Sequence, residues 1–299
     1  MRKIFLMVSV FFISIQFLFG GSPFVSGKYL SVGNVRIRYY QTGEGRDVLL
    51  IHGLPGIIED WMPVVNLLEK HYRVTVIDRP GHGFSTGEGL DGSLEQNITI
   101  IYALIKALGL KNLILAGHSY GGAIALGMAV ADPPEVSAYL LVAPLSYELK
   151  SDDRIFVFLL SPLGKLFFNP IVSLGGRYFV EKGLEKAFSP EENFLTEDFI
   201  KSREEIWLKK SVLMTIAREH IHAMRDLKRQ IPFYHNISKP VFILHGDHDR
   251  LIPYQHSLRL HRVIRDSKLK ILKNAGHMIP ITHPEEVEKG IDYLNRISQ

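Results

Sequence analysis

A short apolar run, Leu113-Ile-Leu-Ala116, breaks into Gly117-His-Ser-Tyr-Gly121 and resumes as a small-residue segment, Gly122 to Ala131. The run has the length and composition of a buried parallel strand, and the segment after it reads as a helix. Only a sharp turn fits between them. Side chains two residues either side of Ser119 would collide across so tight a turn, hence glycine at both Gly117 and Gly121. The serine is expected in a strained backbone conformation, lifted out of the sheet, with the first helical turn and its unpaired N–H groups beneath it. G-x-S-x-G between strand and helix is the setting of an exposed nucleophile. A glycine-rich turn with a passenger serine is the competing reading, and the rest of the chain decides between them.

A chain of 299 residues with 46% apolar content can bury a full α/β core in one domain and still carry an insertion. Charge is mixed, the formal balance is only +4, and the pairs Lys209-Lys210 and Lys228-Arg229 look like solvated helix faces. No nucleic-acid partner is expected. The chain has no cysteine, which excludes disulfides, thiolate catalysis, a cysteine-rich metal site and a lipidated cysteine.

The first 26 residues are set apart. Arg2 and Lys3 precede an apolar run from Ile4 to Phe19, which as a helix would span roughly 24 Å against the ~30 Å of a bilayer core. A charged start and a short apolar segment read as an export signal. The cleavage site is poor, because Phe19 spoils a cut after Gly21, Pro23 would follow a cut after Ser22, and Val25-x-Gly27 is only passable. Export and retention as an N-terminal membrane anchor are the two expectations, with membrane association through this segment in the second.

From residue 27 to 144, strand-like runs alternate with helical ones. Tyr29 to Gln41 alternates as an antiparallel hairpin turning at Gly33-Asn34. Val48 to Ile51, Tyr72 to Ile77, Leu113 to Ala116 and Val136 to Val142 are apolar runs of buried-strand length, with helices expected over Asp60–Lys70 and, N-capped by Ser93, up to Leu108. This rhythm predicts an α/β fold with a mostly parallel central sheet and helices on both faces. From 145 to 238 the strands vanish and aromatic-rich helical segments appear, a helical cap insertion. Within it Ser189-Pro-Glu-Glu192 looks like a helix start and Glu204–Leu227 like one long or broken helix. The core resumes over 239–299, with strands at Val241–Leu244 and Leu269–Leu272 and helices over Tyr254–Ile264 and Pro284–Ile297.

A serine hydroxyl needs a base to take its proton, and that base needs a carboxylate to hold it in one tautomer. Candidates follow the last two strands, where open α/β sheets place their ligands. His245-Gly-Asp-His-Asp249 offers Asp247 and Asp249, and Asn274-Ala-Gly-His277 offers His277. With His52-Gly-Leu-Pro55, Gly117-His-Ser-Tyr-Gly121, Gly246-Asp-His-Asp249 followed by Pro253, and Gly276-His277, the chain resembles the serine-dependent α/β-hydrolase superfamily from about Gly27 to its C-terminus. The resemblance implies Ser119 as nucleophile, His277 as base and Asp249, rather than Asp247, as acid. It also implies an oxyanion hole made by the backbone N–H groups of Leu54 and Tyr120. His52 and His82 are expected to support their turns, His118 to line the pocket or pack on a neighbour, and Asp78 and Glu59 to be loop or cap-contact residues. His220-x-His222 and His245-x-x-His248 are not expected to bind metal, and no cofactor is implied. The implied activity is hydrolysis of an ester or lipid acyl bond through an acyl-enzyme. The alternatives are carbon–carbon-bond hydrolysis, cofactor-free haloperoxidase chemistry, or a slow-turnover small-molecule receptor.

Overall fold

The computed structural model describes residues 24–150 and 153–298. The expected export or anchor segment lies, up to residue 23, outside the described residues. The alternating stretch forms an antiparallel hairpin, β1 (Lys28–Val32) and β2 (Val35–Thr42), with Gly33 at φ +56 in the turn. The apolar runs become β3 (Arg46–Ile51), β4 (Tyr72–Ile77), β5 (Leu113–His118), β6 (Val136–Val142), β7 (Val241–Gly246) and β8 (Ser267–Leu272). All eight join one sheet in the order β1-β2-β4-β3-β5-β6-β7-β8. The β1–β2 and β2–β4 pairs are antiparallel, and the rest are parallel.

Register is what positions the site. Ile51 pairs with Gly117, His118 with Val142, Val142 with Leu244 and Gly246 with Leu272, so five parallel strands end along one edge. The turns that follow them therefore share that edge. The parallel strands read as unbroken apolar runs because both faces are covered. On one face Leu49, Ile51, Leu115 and Leu141 pack with α2 (Leu94–Ala107) and α3 (Tyr120–Ala131), and on the other Val48, Leu50, Ile114 and Leu140 pack with α1 (Met62–Leu68) and the C-terminal helix (Pro284–Ile297). The Ser93 hydroxyl caps α2 by accepting from Gln96 N at 3.1 Å, and Gly109, at φ +63, follows its end.

Between β6 and β7 the chain forms α4 (Arg154–Leu160), α5 (Pro162–Leu166), α6 (Phe168–Phe188), α7 (Glu197–Trp207) and α8 (Lys210–Gln230). One detail differs from the sequence reading. Ser189 does not start a helix but ends α6, and Glu191 turns instead to accept from Gly276 N at 2.9 Å. Thr196 starts α7, its hydroxyl accepting from Phe199 N. The stretch read as one long or broken helix is broken, at Lys209, whose backbone is extended at ψ 133. Buried ion pairs fasten α7 and α8 to the sheet layer: Arg203 to Asp60 and Glu219 to Arg79, both at 2.7 Å. Asp226 also accepts from Leu94 N, at the start of α2. Beyond β7 lie α9 (Gln255–Val263), α10 (Ile279–Thr282) and α11 (Pro284–Ile297). No helix among the described residues is long and apolar enough to cross a membrane.

Candidate active site

Ser119 stands at the junction of β5 and α3 with φ 55 and ψ −117, a region costly for any residue with a side chain. Its N–H donates to Val142 O at 3.0 Å and its carbonyl accepts from Leu145 N at 2.9 Å, so β6 and the turn after it clamp the residue from both sides. A Cβ on Gly117 would lie 2.2 Å from Gly121 O, and one on Gly121 would lie 2.3 Å from Ile51 O. The expected crowding is there, although part of it comes from the neighbouring strand. Gly53 is as tightly placed: a Cβ there would lie 2.9 Å from Ser119 Cβ and 3.4 Å from its Oγ. The turn carrying Leu54 is thus pressed against the serine. Tyr120, as the first residue of α3, has an N–H with no acceptor inside its own helix.

Asp249 is held by four contacts. Its Oδ1 accepts the N–H groups of Leu251 and Ile252 at 2.8 Å, while Oδ2 lies 2.6 Å from His277 Nδ1 and 3.0 Å from His245 Nε2. Burial alone would raise its pKa, but the His277 and His245 interactions prevail and hold the carboxyl well below its usual range. Asp247, the other candidate, instead accepts from Asn274 N and meets His248 Nδ1 at 2.6 Å. The geometry therefore pairs His277 with Asp249.

His277 is held from three sides. Its N–H donates to Ala187 O at the end of α6, its carbonyl lies 3.0 Å from His118 Nε2, and its ring centroid is 4.7 Å from that of His118. The residue preceding Ser119 thus packs directly on the histidine, and the site is nearly closed over, with Ser119 9% and His277 3% exposed. Burial, and then the neighbouring His277, push the His118 pKa down to about 3. Neutral His118 donates from Nε2 to the His277 carbonyl.

His52 supports its turn as expected. Arg79 N donates to His52 Nε2 and His52 Nδ1 donates to Gly53 O, both at 2.9 Å. His82 lies with Nε2 2.9 Å from Glu219 Oε2. Asp78 accepts from Arg38, Ile58 N and Phe84 N, a loop-organising role, and burial raises its pKa to about 6.

Three groups escaped the sequence reading. His245, considered there only as half of a metal pair, is fully buried and lies 2.6 Å from Ser257 Oγ as well as on Asp249. Arg79 sends Nη1 to Glu219 Oε1 at 2.7 Å and Nη2 to Glu219 Oε2 at 2.9 Å and to Gly53 O at 3.0 Å, with its guanidinium 4.7 Å from the Tyr120 ring. Glu219 also accepts from Asn97 Nδ2 at 2.9 Å. Burial would raise the Glu219 pKa, but Arg79 and His82 bring it down to about 2. An arginine ending a buried strand was a usable signal for Arg79. Nothing in the sequence of an amphipathic helix picks out Glu219.

These shifts set an acid limit to stability. His118 falls from 6.5 to about 3, so its contribution is present above pH 6.5 and lost as pH falls towards 3. Glu219 falls from 4.5 to about 2, so its contribution is present above pH 4.5 and lost as pH falls towards 2. Asp78, raised from 3.8 to about 6, acts the other way and offsets part of the loss. The melting temperature is expected to drop steadily from pH 6.5 to 3. A flat profile over that window in calorimetry would contradict the buried neutral His118.

The sequence matches the alpha/beta hydrolase fold family over residues 48–284. It is 25% identical over 277 residues to a 2-hydroxy-6-oxo-6-(2'-aminophenyl)hexa-2,4-dienoic acid hydrolase from Metapseudomonas resinovorans, covering 90% of this chain and 91% of that one. It is also 25% identical over 274 residues to a 2-hydroxy-6-oxo-2,4-heptadienoate hydrolase from Pseudomonas putida, covering 85% and 91%. Among solved structures, the bromoperoxidase of Bacillus anthracis superposes with a TM-score of 0.74 at 22% identity, covering 91% of this chain and all of that one (100%). The structural likeness speaks to the fold.

Proposed function

The chain belongs to the α/β hydrolase family, and on that premise we propose that it is a serine hydrolase cleaving an ester-like bond through an acyl-enzyme. Ser119 Oγ attacks the carbonyl carbon as His277 takes its proton, and Asp249 steadies the imidazolium that results. The N–H groups of Leu54 and Tyr120 bind the oxyanion. The carbon–oxygen bond to the leaving alcohol breaks as His277 returns the proton. Water then attacks the acyl-serine with the same base, releasing the acid and restoring Ser119.

The observation that carries this reading is the 2.6 Å contact between His277 Nδ1 and an Asp249 carboxylate kept ionised by four donors. Such a carboxylate fixes the Nδ1–H tautomer and leaves Nε2 as the base. A second reading, hydrolysis of a carbon–carbon bond beside a ketone on the same three residues, is favoured by the two dienoate hydrolases among the relatives. One experiment separates them. Chromogenic esters of rising acyl length and a 2-hydroxy-6-oxo-dienoate are assayed side by side, with a fluorophosphonate probe mapped by mass spectrometry. The ester reading expects probe on Ser119 and faster ester turnover. Preferred turnover of the dienoate selects the second reading, and an active protein with no label on Ser119 defeats both.

A further inference from the structure

Thirteen large apolar side chains are exposed among the described residues, and nine of them fall between Ile155 and Phe179. Scattered singly such residues need no explanation; gathered on α4 to α6 they do. Leu163 and Leu166 are three residues apart on α5, and Leu174 and Tyr178 are four apart on α6, so each pair shares a helix face. Leu174 is 89% and Leu166 73% exposed. These helices do not lack an interior, because Leu159, Phe168 and Met214 form a small core on their inner side. The bare apolar face is what remains after that packing.

Two further observations indicate what covers it. From Arg154 to Val180 the sequence holds Arg154, Lys165 and Arg177 and no aspartate or glutamate. Arg177 pairs with Glu181 and Glu197 at the rim. A face of leucine and aromatic side chains with lysine and arginine among them, and with Glu181, Glu197 and Glu204 drawn to Arg177 at its rim, suits a phospholipid interface. The described residues begin at Phe24, which a short series of contacts links to α6. The Phe24 ring is 5.1 Å from Phe84, Lys209 Nζ lies 4.7 Å over Phe84, and the adjacent Lys210 Nζ lies 5.6 Å over Phe168 at the start of α6. The apolar run Ile4–Phe19 precedes Phe24 in the sequence.

We propose that the outer face of α4, α5 and α6 is the surface on which this protein lies against a phospholipid bilayer, with the N-terminal segment as a second attachment on the same side. The far end of α6 meets the site, where Ala187 O accepts from His277 N, so one helix spans from that surface to the proposed base. The proposal concerns where the protein works and stands whichever bond it cleaves.

The absence of cysteine makes the test clean. In the full chain, Leu174→Cys carries an environment-sensitive fluorophore, and Lys111→Cys, exposed just before β5 at the opposite edge of the sheet, is the control. With vesicles of phosphatidylcholine and phosphatidylglycerol, the label at 174 should shift to the blue and be quenched by nitroxide lipid, while the label at 111 should not respond. Protein that sediments with vesicles while the label at 174 stays in water overturns the proposal, leaving the N-terminal run as the only attachment. A blue shift that grows with protein concentration without vesicles overturns it in favour of a second copy. Leu166→Asp combined with Leu174→Asp should lower vesicle affinity about tenfold or more. Turnover of a soluble short-chain ester by that variant should be unchanged, and unchanged vesicle affinity would also overturn the proposal.

Discussion

Ser119→Ala is expected to leave a folded protein whose kcat is lower by about 10⁴-fold or more, with Asp249→Asn close behind it at about 10⁴. The reasons differ. On the proposed mechanism alanine removes the atom that would form the acyl bond, whereas asparagine at 249 offers His277 Nδ1 an amide and loses the preference for the productive tautomer. Stability separates these losses from unfolding. Alanine inherits the backbone strain of Ser119 at φ 55, so Ser119→Ala should melt close to the parent. Ser119→Gly should melt higher. Relief of strain contributes roughly 1–3 kcal/mol against roughly 0.5–1 kcal/mol of extra chain entropy. Turnover of Ser119→Ala within tenfold of the parent would remove Ser119 from the mechanism.

Glu219→Ala should be the most destabilising single change in the inserted helices, at about 3–5 kcal/mol in urea denaturation. That is a large fraction of the roughly 5–15 kcal/mol that holds a typical domain together. The cost arises because Arg79, fully buried, would keep its charge and lose a two-pronged partner at 2.7 and 2.9 Å. Removing both charges is a different experiment: Arg79→Met with Glu219→Leu should recover much of the loss. Activity should not recover with it, because Arg79 Nη2 also donates to Gly53 O beside the proposed oxyanion hole. A double variant no more stable than Glu219→Ala would mean that the site depends on the hydrogen bonds and not on the charge balance.

Much of the fold was legible because its signals are local. Alternation marked the β1–β2 hairpin, unbroken apolar runs marked the two-sided strands, Ser93 and Gly109 marked the ends of α2, and Pro284 marked the start of α11. The inserted helices were less legible because a tertiary contact overrode the start signal read there. Ser189-Pro-Glu-Glu192 reads as a helix start in one dimension, but Glu191 is drawn to Gly276 and His283, and Thr196 caps the helix that follows. The site divides the same way. Gly117, Gly121 and Ser119 obey a rule of spacing, whereas the second imidazole on Asp249 depends on β7 and α9 meeting at His245 and Ser257.

Taken alone, the amino-acid sequence determined the layered α/β architecture, the strained serine turn and the order in which a hydroxyl, a carboxylate and an imidazole follow one another. Those properties come from crowding, periodicity and backbone hydrogen bonding within a few residues of each other. The tertiary structure alone decided that Asp249 meets a second imidazole, from His245, that Glu219 is buried on Arg79, and that the apolar side chains of α4 to α6 face outward. Each of these depends on which distant surfaces share a desolvated space, and only closure of the whole chain sets that.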